Sequence, residues 1–240
     1  MQFFIRESIK AAQEVVMMLE TNVDEEAYQP QEEGAGGDIS VGLDLMAEQI
    51  FISRLSRFGQ INSEESGLVG EKSDVQIILD PIDGSDNMLT HFPYYGASIA
   101  YMKDDRCVMG IVCNFANGDI FIKDDKQFLQ GKLHSAHFRP VVKHHTSKIG
   151  IFEKAALYPE LTQKLIENHL KYRAPGAVAL SLAYAHYAKY MVFLGKMRTY
   201  DLEAGLYMCE GLHMYKDDTH IIISKDKDVF ERVKKIILKQ

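Results

Sequence analysis

Basic residues are in short supply. Lys and Arg number 27 against 34 Asp and Glu, a formal net charge of −7, and that balance lacks the basic face that a general affinity for nucleic acid needs. Cysteine is scarcer still. Cys107, Cys113 and Cys209 are an odd number without Cys-x-x-Cys spacing, which excludes a disulfide framework and a thiolate zinc site and suits a reducing cytoplasm. No stretch approaches 18 consecutive apolar residues, so no membrane span is expected. The first segment, MQFFIRESIKAAQEVVMMLE, breaks its apolar residues with Arg6, Glu7, Lys10 and Glu14, which describes an amphipathic helix rather than a signal peptide. GAGG at 34–37 has no Gly-Lys-Ser/Thr after it and is no Walker loop. Internal repeats and low-complexity tracts are missing too. What remains is 240 residues, 46% apolar and 25% charged, an ordinary folded composition with enough chain for a sizeable core.

Phe4, Ile5, Ile9, Ala12, Val15, Val16 and Leu19 recur at helical spacing and predict a first helix. A second is expected from about Ser40 to Arg57, with Ser40 as N-cap and Leu43, Ala47, Ile50, Phe51 and Leu55 inward. Apolar, β-branched runs at 75–80, 95–102, 107–114 and 119–123 predict strands. The rest alternates: strands at KIGIF, YMVFL and HIIIS, and helices at 157–170, 177–189, 201–210 and 226–239. Alternation implies layered α and β. The polar, His-containing segment 131–147 divides the chain into an N-terminal α+β half, 1–130, and a C-terminal α/β half, 131–240, within one continuous unit. His134, His137, His144 and His145 match no helical zinc pair and are expected in exposed loop. KDDR, KDDK and KDD are sign-balanced and follow strands, as solvated turns do.

The chemistry concentrates in IILDPIDGSDNMLTHFPYYG. A buried-type strand ends in Asp80, turns at Pro81 and presents Asp83, Gly84 and Ser85. Two carboxylates three residues apart, with the Ile82 carbonyl between them, can converge on one divalent cation, and hard oxygen ligands favour Mg²⁺ or Mn²⁺. A helix starting after Ser85 would aim the Gly84 and Ser85 N–H groups at the same place, as an anion site. A plain surface turn is the alternative, since Asp, Pro and Gly are also common turn formers.

Several motifs in order, INSEESG, then LDPIDGS with Asp80 sixteen residues after Glu64, then YDLEAG, resemble the inositol monophosphatase family of lithium-sensitive phosphatases. GDISVGLD, HFPYYGASIAY and YRAPGAVALSLAYAHYAKY extend the likeness over most of the chain. The resemblance implies a layered αβαβα sugar-phosphatase fold with two helix-flanked sheets. It also implies an Mg²⁺-dependent phosphomonoesterase acting on a sugar or inositol phosphate by direct attack of a metal-activated water, with two or three Mg²⁺ and Mn²⁺ as a substitute. Glu64, Asp80 and the Ile82 carbonyl would hold the first ion, Asp80, Asp83 and Asp201 the second, and a third would lean on Glu64. Asp44, Ser85 and Glu64 would position the water, Gly84 and Ser85 the phosphate, and Arg173 the substrate. Glu65 is an alternative ligand to Glu64, helix capping an alternative role for Asp201, and a solvated charge the alternative for Asp44. The partner expected is a small phosphorylated metabolite, with no nucleic acid or membrane, in the cytoplasm, and the resemblance implies a homodimer.

The chain departs from the family pattern at three places. Tyr200 stands where a Trp usually precedes the last metal Asp, a lysine before the GD stretch is missing, and Leu194 replaces a Glu that grips sugar hydroxyls. Lys196 and Arg198 follow Leu194, where cations suit a second phosphate, as in fructose 1,6-bisphosphate or a 3',5'-bisphosphonucleotide. A 3'(2'),5'-bisphosphate nucleotidase and a non-catalytic regulatory protein of the same fold are the alternative readings.

Overall fold

The computed structural model describes residues 1–21, 25–37 and 39–238. In chain order the elements are α1 (Gln2–Glu20), β1 (Pro30–Glu33), β2 (Ile39–Val41), α2 (Gly42–Leu55), β3 (Gln60–Ser63), β4 (Gly67–Val69), β5 (Val75–Asp83), α3 (Ser85–Leu89), β6 (Gly96–Lys103), β7 (Arg106–Asn114), β8 (Asp119–Asp124), β9 (Phe128–Lys132), β10 (Arg139–Pro140), β11 (Gly150–Glu153), α4 (Pro159–Glu167), β12 (Tyr172–Arg173), α5 (Val178–Ala183), β13 (Met191–Leu194), α6 (Thr199–Met208), β14 (His213–Lys216), β15 (His220–Ser224) and α7 (Lys227–Leu238).

Strands β1 and β2 pair only with each other among the described residues, and two larger sheets organise the rest. The larger runs β10-β9-β8-β7-β6-β5-β3-β4 and the smaller β12-β11-β13-β15-β14. Apolar residues of α1 and α2, among them Phe4, Val15, Leu43 and Phe51, pack on one face of the larger sheet against Ile77, Leu79 and Ile99. Its other face, with Ile78, Val112 and Phe121, meets α5 and α6 through Leu180, Ala183 and Met208. The same two helices turn Leu182 and Leu202 to Met191, Phe193 and Ile221 of the smaller sheet. Phe152, Val192 and Ile222 on that sheet's far face are covered by Leu161, Leu165, Val233 and Ile237 of α4 and α7. The layers are therefore αβαβα, with each sheet apolar on both faces because each is covered on both.

The local rules act as expected over most of the length. HIIIS forms β15 at its predicted bounds, and the expected strands from 75 to 123 become β5 to β8. The KDDR turn closes the β6–β7 hairpin with Asp104 and Asp105 in the left-handed region, φ 51° and 56°, as a tight hairpin turn requires. Other boundaries move. Ser40 lies in β2, and the N-cap of α2 is Val41. The helix expected at 177–189 ends at Ala183 and tightens into a 3-10 turn at Tyr184–His186. The helix expected at 157–170 spans Pro159–Glu167, starting at Pro159, whose missing N–H costs nothing in a first turn. The chain passes from the larger sheet to the smaller between Pro140 and Gly150. His134, His137, His144 and His145 are exposed. Among the described residues no helix is long and apolar enough to cross a membrane.

Candidate metal centre and its cavity

A cavity of about 940 Å³ opens where the layers meet, lined by acidic groups from five parts of the chain: Asp44, Glu64 with Glu65, Asp80 with Asp83 and Asp86, Glu153, and Asp201. Each arrives by a local rule. β3 runs parallel to β5, Ser63 opposite Leu79, and the Glu64 N–H donates to the Leu79 carbonyl at 3.0 Å. That pairing sets Glu64 beside Asp80. Residues three apart on a regular strand point to opposite faces, yet Asp80 and Asp83 share the cavity. The reason is a register shift, in which Asp80 pairs with Ser98 but Asp83 with Gly96. Three residues of β5 therefore oppose two of β6 around Pro81, and the extra residue re-aims the following side chain.

Asp80 is 2% exposed, and its Oδ1 has no hydrogen-bond partner. One carboxylate oxygen each of Glu64, Asp80 and Asp201 come within 4.8 Å of one another. Burial, with Glu64, Asp83 and Asp201 adding to it, holds the Asp80 carboxyl well above its ordinary range. Such a group of anions is stable only with protons or a cation among it. Three carboxylates that offer hard oxygens, one of which has a buried and unpartnered oxygen, fit Mg²⁺ or Mn²⁺.

Asp83 stands at the edge of this group. Its two oxygens accept the N–H groups of Val178 and Leu180, each at 2.9 Å, so it caps α5 and fixes that helix against β5. Asp201 lies in the first turn of α6, whose N-cap is Arg198 with no capping side chain. Glu64, not Glu65, joins the three-carboxylate group, although Glu65 also lines the cavity. Gly84 begins α3 at φ +88°, and a Cβ there would stand 3.0 Å from the Ala177 Cβ and 3.1 Å from the Tyr94 carbonyl. Only glycine meets both conditions. The Ser85 hydroxyl donates to the Ile82 carbonyl at 3.4 Å.

Asp44 is no solvated charge: it is 2% exposed. Oδ2 accepts the Val41 N–H at 3.0 Å, and Oδ1 has no partner. Burial lifts its carboxyl to about 7 against the pull of the Val41 amide, and Glu65 and Asp86 add to the shift. Lys196 lines the cavity and is exposed. Arg198 lines it too, but its guanidinium lies on the cluster itself, Nη1 2.9 Å from Glu64 Oε1 and Nε 2.9 Å from Asp201 Oδ2. Ala174 lines the cavity but its neighbour Arg173 does not; Arg173 is exposed and donates to the Tyr172 carbonyl. Leu194 is buried at 2% and presents no polar group. Tyr200, in the place of the usual Trp, donates its hydroxyl to Asn62 Oδ1 at 3.3 Å.

Two buried acids escaped the sequence reading. Glu48, one helical turn after Asp44, is fully buried and accepts the amide and hydroxyl of Ser66. Glu153 ends β11, is 1% exposed, lines the cavity, and accepts the Gly176 N–H at 2.9 Å and the Ser181 hydroxyl. An acid at the end of an apolar strand was the signal for Glu153, as for Asp80.

The chain belongs to the inositol monophosphatase family, whose model matches residues 1–212. It is similar to a fructose-1,6-bisphosphatase of Pyrococcus furiosus, 28% identical over 151 residues, which are 62% of this chain and 56% of that protein. It therefore spans little more than half the length of that relative. A fructose-1,6-bisphosphatase/inositol-1-monophosphatase of Methanothermobacter thermautotrophicus is 28% identical over 199 residues, 74% of this chain and 70% of that protein. The fold matches the solved Thermotoga maritima IMPase with a TM-score of 0.75 at 20% identity, over 98% of both chains.

Proposed function

We propose that this chain is an Mg²⁺-dependent phosphomonoesterase that hydrolyses a sugar or inositol phosphate, bisphosphates included, by direct attack of water on phosphorus. The observation that carries the reading is the meeting of Glu64, Asp80 and Asp201 within 4.8 Å, with the buried Oδ1 of Asp80 unpartnered. When bound, Mg²⁺ supplies a Lewis acid for the phosphoryl oxygens and makes a water more acidic. Glu64, Asp80, the Ile82 carbonyl, Asp83 and Asp201 are the residues to hold two such ions, a third leaning on Glu64, with Mn²⁺ as a substitute. Asp44 has a carboxyl poised near neutrality and an unpartnered oxygen, which suits it to take a proton from the attacking water, with Glu64 and Ser85 orienting that water. The Gly84 and Ser85 N–H groups receive the phosphate. Family resemblance extends the reading to inhibition by Li⁺ and to a cytoplasmic homodimer.

Substrate choice rests on what surrounds this centre. Leu194 offers no acceptor for a sugar hydroxyl, whereas Lys196 and Arg198 bring two cations to the same cavity. That favours a substrate with a second phosphate, and Arg173 is assigned no contact with it. The names of two relatives, one a fructose-1,6-bisphosphatase and the other a fructose-1,6-bisphosphatase/inositol-1-monophosphatase, support a sugar or inositol phosphate. The test is phosphate release from fructose 1,6-bisphosphate, inositol 1-phosphate and 3'-phosphoadenosine 5'-phosphate with Mg²⁺. Turnover of the first two supports the proposal. Turnover of the nucleotide alone transfers it to the nucleotidase reading, and no release from any of the three overturns it in favour of a non-catalytic role.

A further inference from the structure

We propose that Arg198 is the resident cation of the metal-free centre, and that a divalent ion binds by displacing it. The inference rests on the reading of Glu64, Asp80 and Asp201 as a metal site.

The geometry is specific. Arg198 is the N-cap of α6, extended at φ −110° and ψ 132°, three residues before Asp201. Residues three apart at a helix start share a face, and the side chain folds back over the first turn. Nε reaches Asp201 Oδ2 at 2.9 Å and Nη2 reaches Oδ1 at 3.2 Å, a two-pronged contact. The remaining nitrogen, Nη1, lies 2.9 Å from Glu64 Oε1. One planar guanidinium thus bridges two carboxylates that come from different layers of the fold. Both carboxylates are largely buried, with side chains 12% and 5% exposed.

These are two of the three carboxylates that converge within 4.8 Å. Arginine keeps its charge at every relevant pH, and its fork matches carboxylate geometry, so it can hold mutually repelling anions together when no metal does. It is an incomplete substitute. Asp80, the third carboxylate, keeps a buried oxygen without a partner, because a flat guanidinium laid across Glu64 and Asp201 does not fill the centre as a small sphere of charge would. A divalent ion coordinated by Glu64 and Asp201 takes the same anionic charge from Arg198, and two cations cannot share it without repulsion. Metal binding is then an exchange, and its apparent affinity is lowered by the stability of the ion pairs that must open. The side chain has somewhere to go, since it is a quarter exposed and lines the cavity beside Lys196. Displacement delivers its charge toward the region proposed for the substrate's phosphates, so metal should bind before the anion.

The test is Mn²⁺ binding by calorimetry to the substrate-free protein, for wild type, Arg198→Gln, Arg198→Lys and Asp80→Asn. Arg198→Gln should bind Mn²⁺ at least tenfold more tightly than wild type, with Arg198→Lys between them. Without metal, Arg198→Gln should melt below wild type and gain more from Mn²⁺. If wild-type binding weakens in Asp80→Asn but is equal or weaker in Arg198→Gln, the displacement idea falls and the metal site stands. If Asp80→Asn binds as wild type does, the metal site falls and the inference with it. Should the Arg198 variants not fold, the assigned Arg198 Nε–H resonance of the wild-type protein decides. It should shift and exchange faster with water at saturating Mg²⁺, and an unchanged signal overturns the proposal.

Discussion

The carboxylate of Glu48 accepts both hydrogen bonds that Ser66 can donate, the amide at 2.9 Å and the hydroxyl at 2.6 Å. This ties the loop that carries Glu64 to the helix that carries Asp44. Glu48→Ala removes the acceptor of both bonds; Ser66 is itself exposed, so water replaces part of what is lost, and hydrogen bonds to a charged group contribute about 1.5–3 kcal/mol each. We expect a loss of about 3 kcal/mol in urea unfolding and a several-fold rise in the Mg²⁺ concentration for half-maximal activity. Glu48→Gln, which keeps an acceptor, should recover part of both. Unchanged Mg²⁺ dependence in Glu48→Ala would show that the tie does not position Glu64.

Gly84 is the second sensitive point. At φ +88°, with a Cβ destined to lie 3.0 Å from Ala177 and 3.1 Å from the Tyr94 carbonyl, Gly84→Ala meets both strain and crowding. A cost of about 1–3 kcal/mol is expected, together with a fall in kcat, because the displaced segment carries Asp83 and Ser85. A variant with wild-type Tm and kcat would mean that the turn relaxes without disturbing the site.

Asp44 gives a pH signature. Its carboxyl is raised by burial to about 7 from an ordinary 3.8, so between those values the folded chain holds a proton that the unfolded chain has released. Stability from this group is then present at low pH and is lost as pH rises from about 4 through 7. Removing the ionisable group in Asp44→Asn should shift the balance toward the variant by up to about 4 kcal/mol over that range, measured by urea unfolding in chelator at pH 4.5 and pH 8. A constant difference between the two proteins would contradict the raised carboxyl.

Lys196 reaches the cavity with an exposed side chain, and no carboxylate ligand role competes for it. Lys196→Ala should reduce turnover of fructose 1,6-bisphosphate roughly tenfold, the equivalent of about 1.4 kcal/mol, while inositol 1-phosphate turnover changes little. Equal losses on both substrates would assign Lys196 to the shared phosphate, and no loss on either would place it in solvent.

What the sequence disclosed and what it hid divide along the range of the interactions. HIIIS, VQIILD and the first helix were legible because apolar periodicity and strand composition act over neighbouring residues, and the layered order followed from their alternation. Asp80 and Asp83 stood out in a segment punctuated by Pro81 and Gly84, but the register shift that turns them to one cavity depends on pairing with Ser98 and Gly96, which spacing along β5 does not reveal. Strand β3, which delivers Glu64, is only Gln60–Ser63 and is too short for its own pattern. Ser40 looked like a cap by residue type, whereas the cap box is closed by Asp44 accepting the Val41 amide. The contact between Arg198 and Glu64 joins residues far apart in the chain, so spacing along the sequence presents Arg198 as a cation for a second phosphate and not as a bridge across the carboxylates. Asp38 of the GDISVGLD stretch lies outside the described residues.

The most direct measurement is phosphate release from fructose 1,6-bisphosphate and inositol 1-phosphate by wild type and Asp80→Asn, each in excess Mg²⁺ and in excess chelator. Asp80→Asn removes a buried anion without changing its shape, and its fold can be checked by circular dichroism in the same samples. Losing an outer partner of a metal ligand costs about 10–100-fold, and losing the carboxylate at the centre should cost more. Wild type is expected to release phosphate only with Mg²⁺, and folded Asp80→Asn to fall by at least about 100-fold. Release by wild type in chelator, or a folded Asp80→Asn that keeps its activity, would contradict the assignment of this centre.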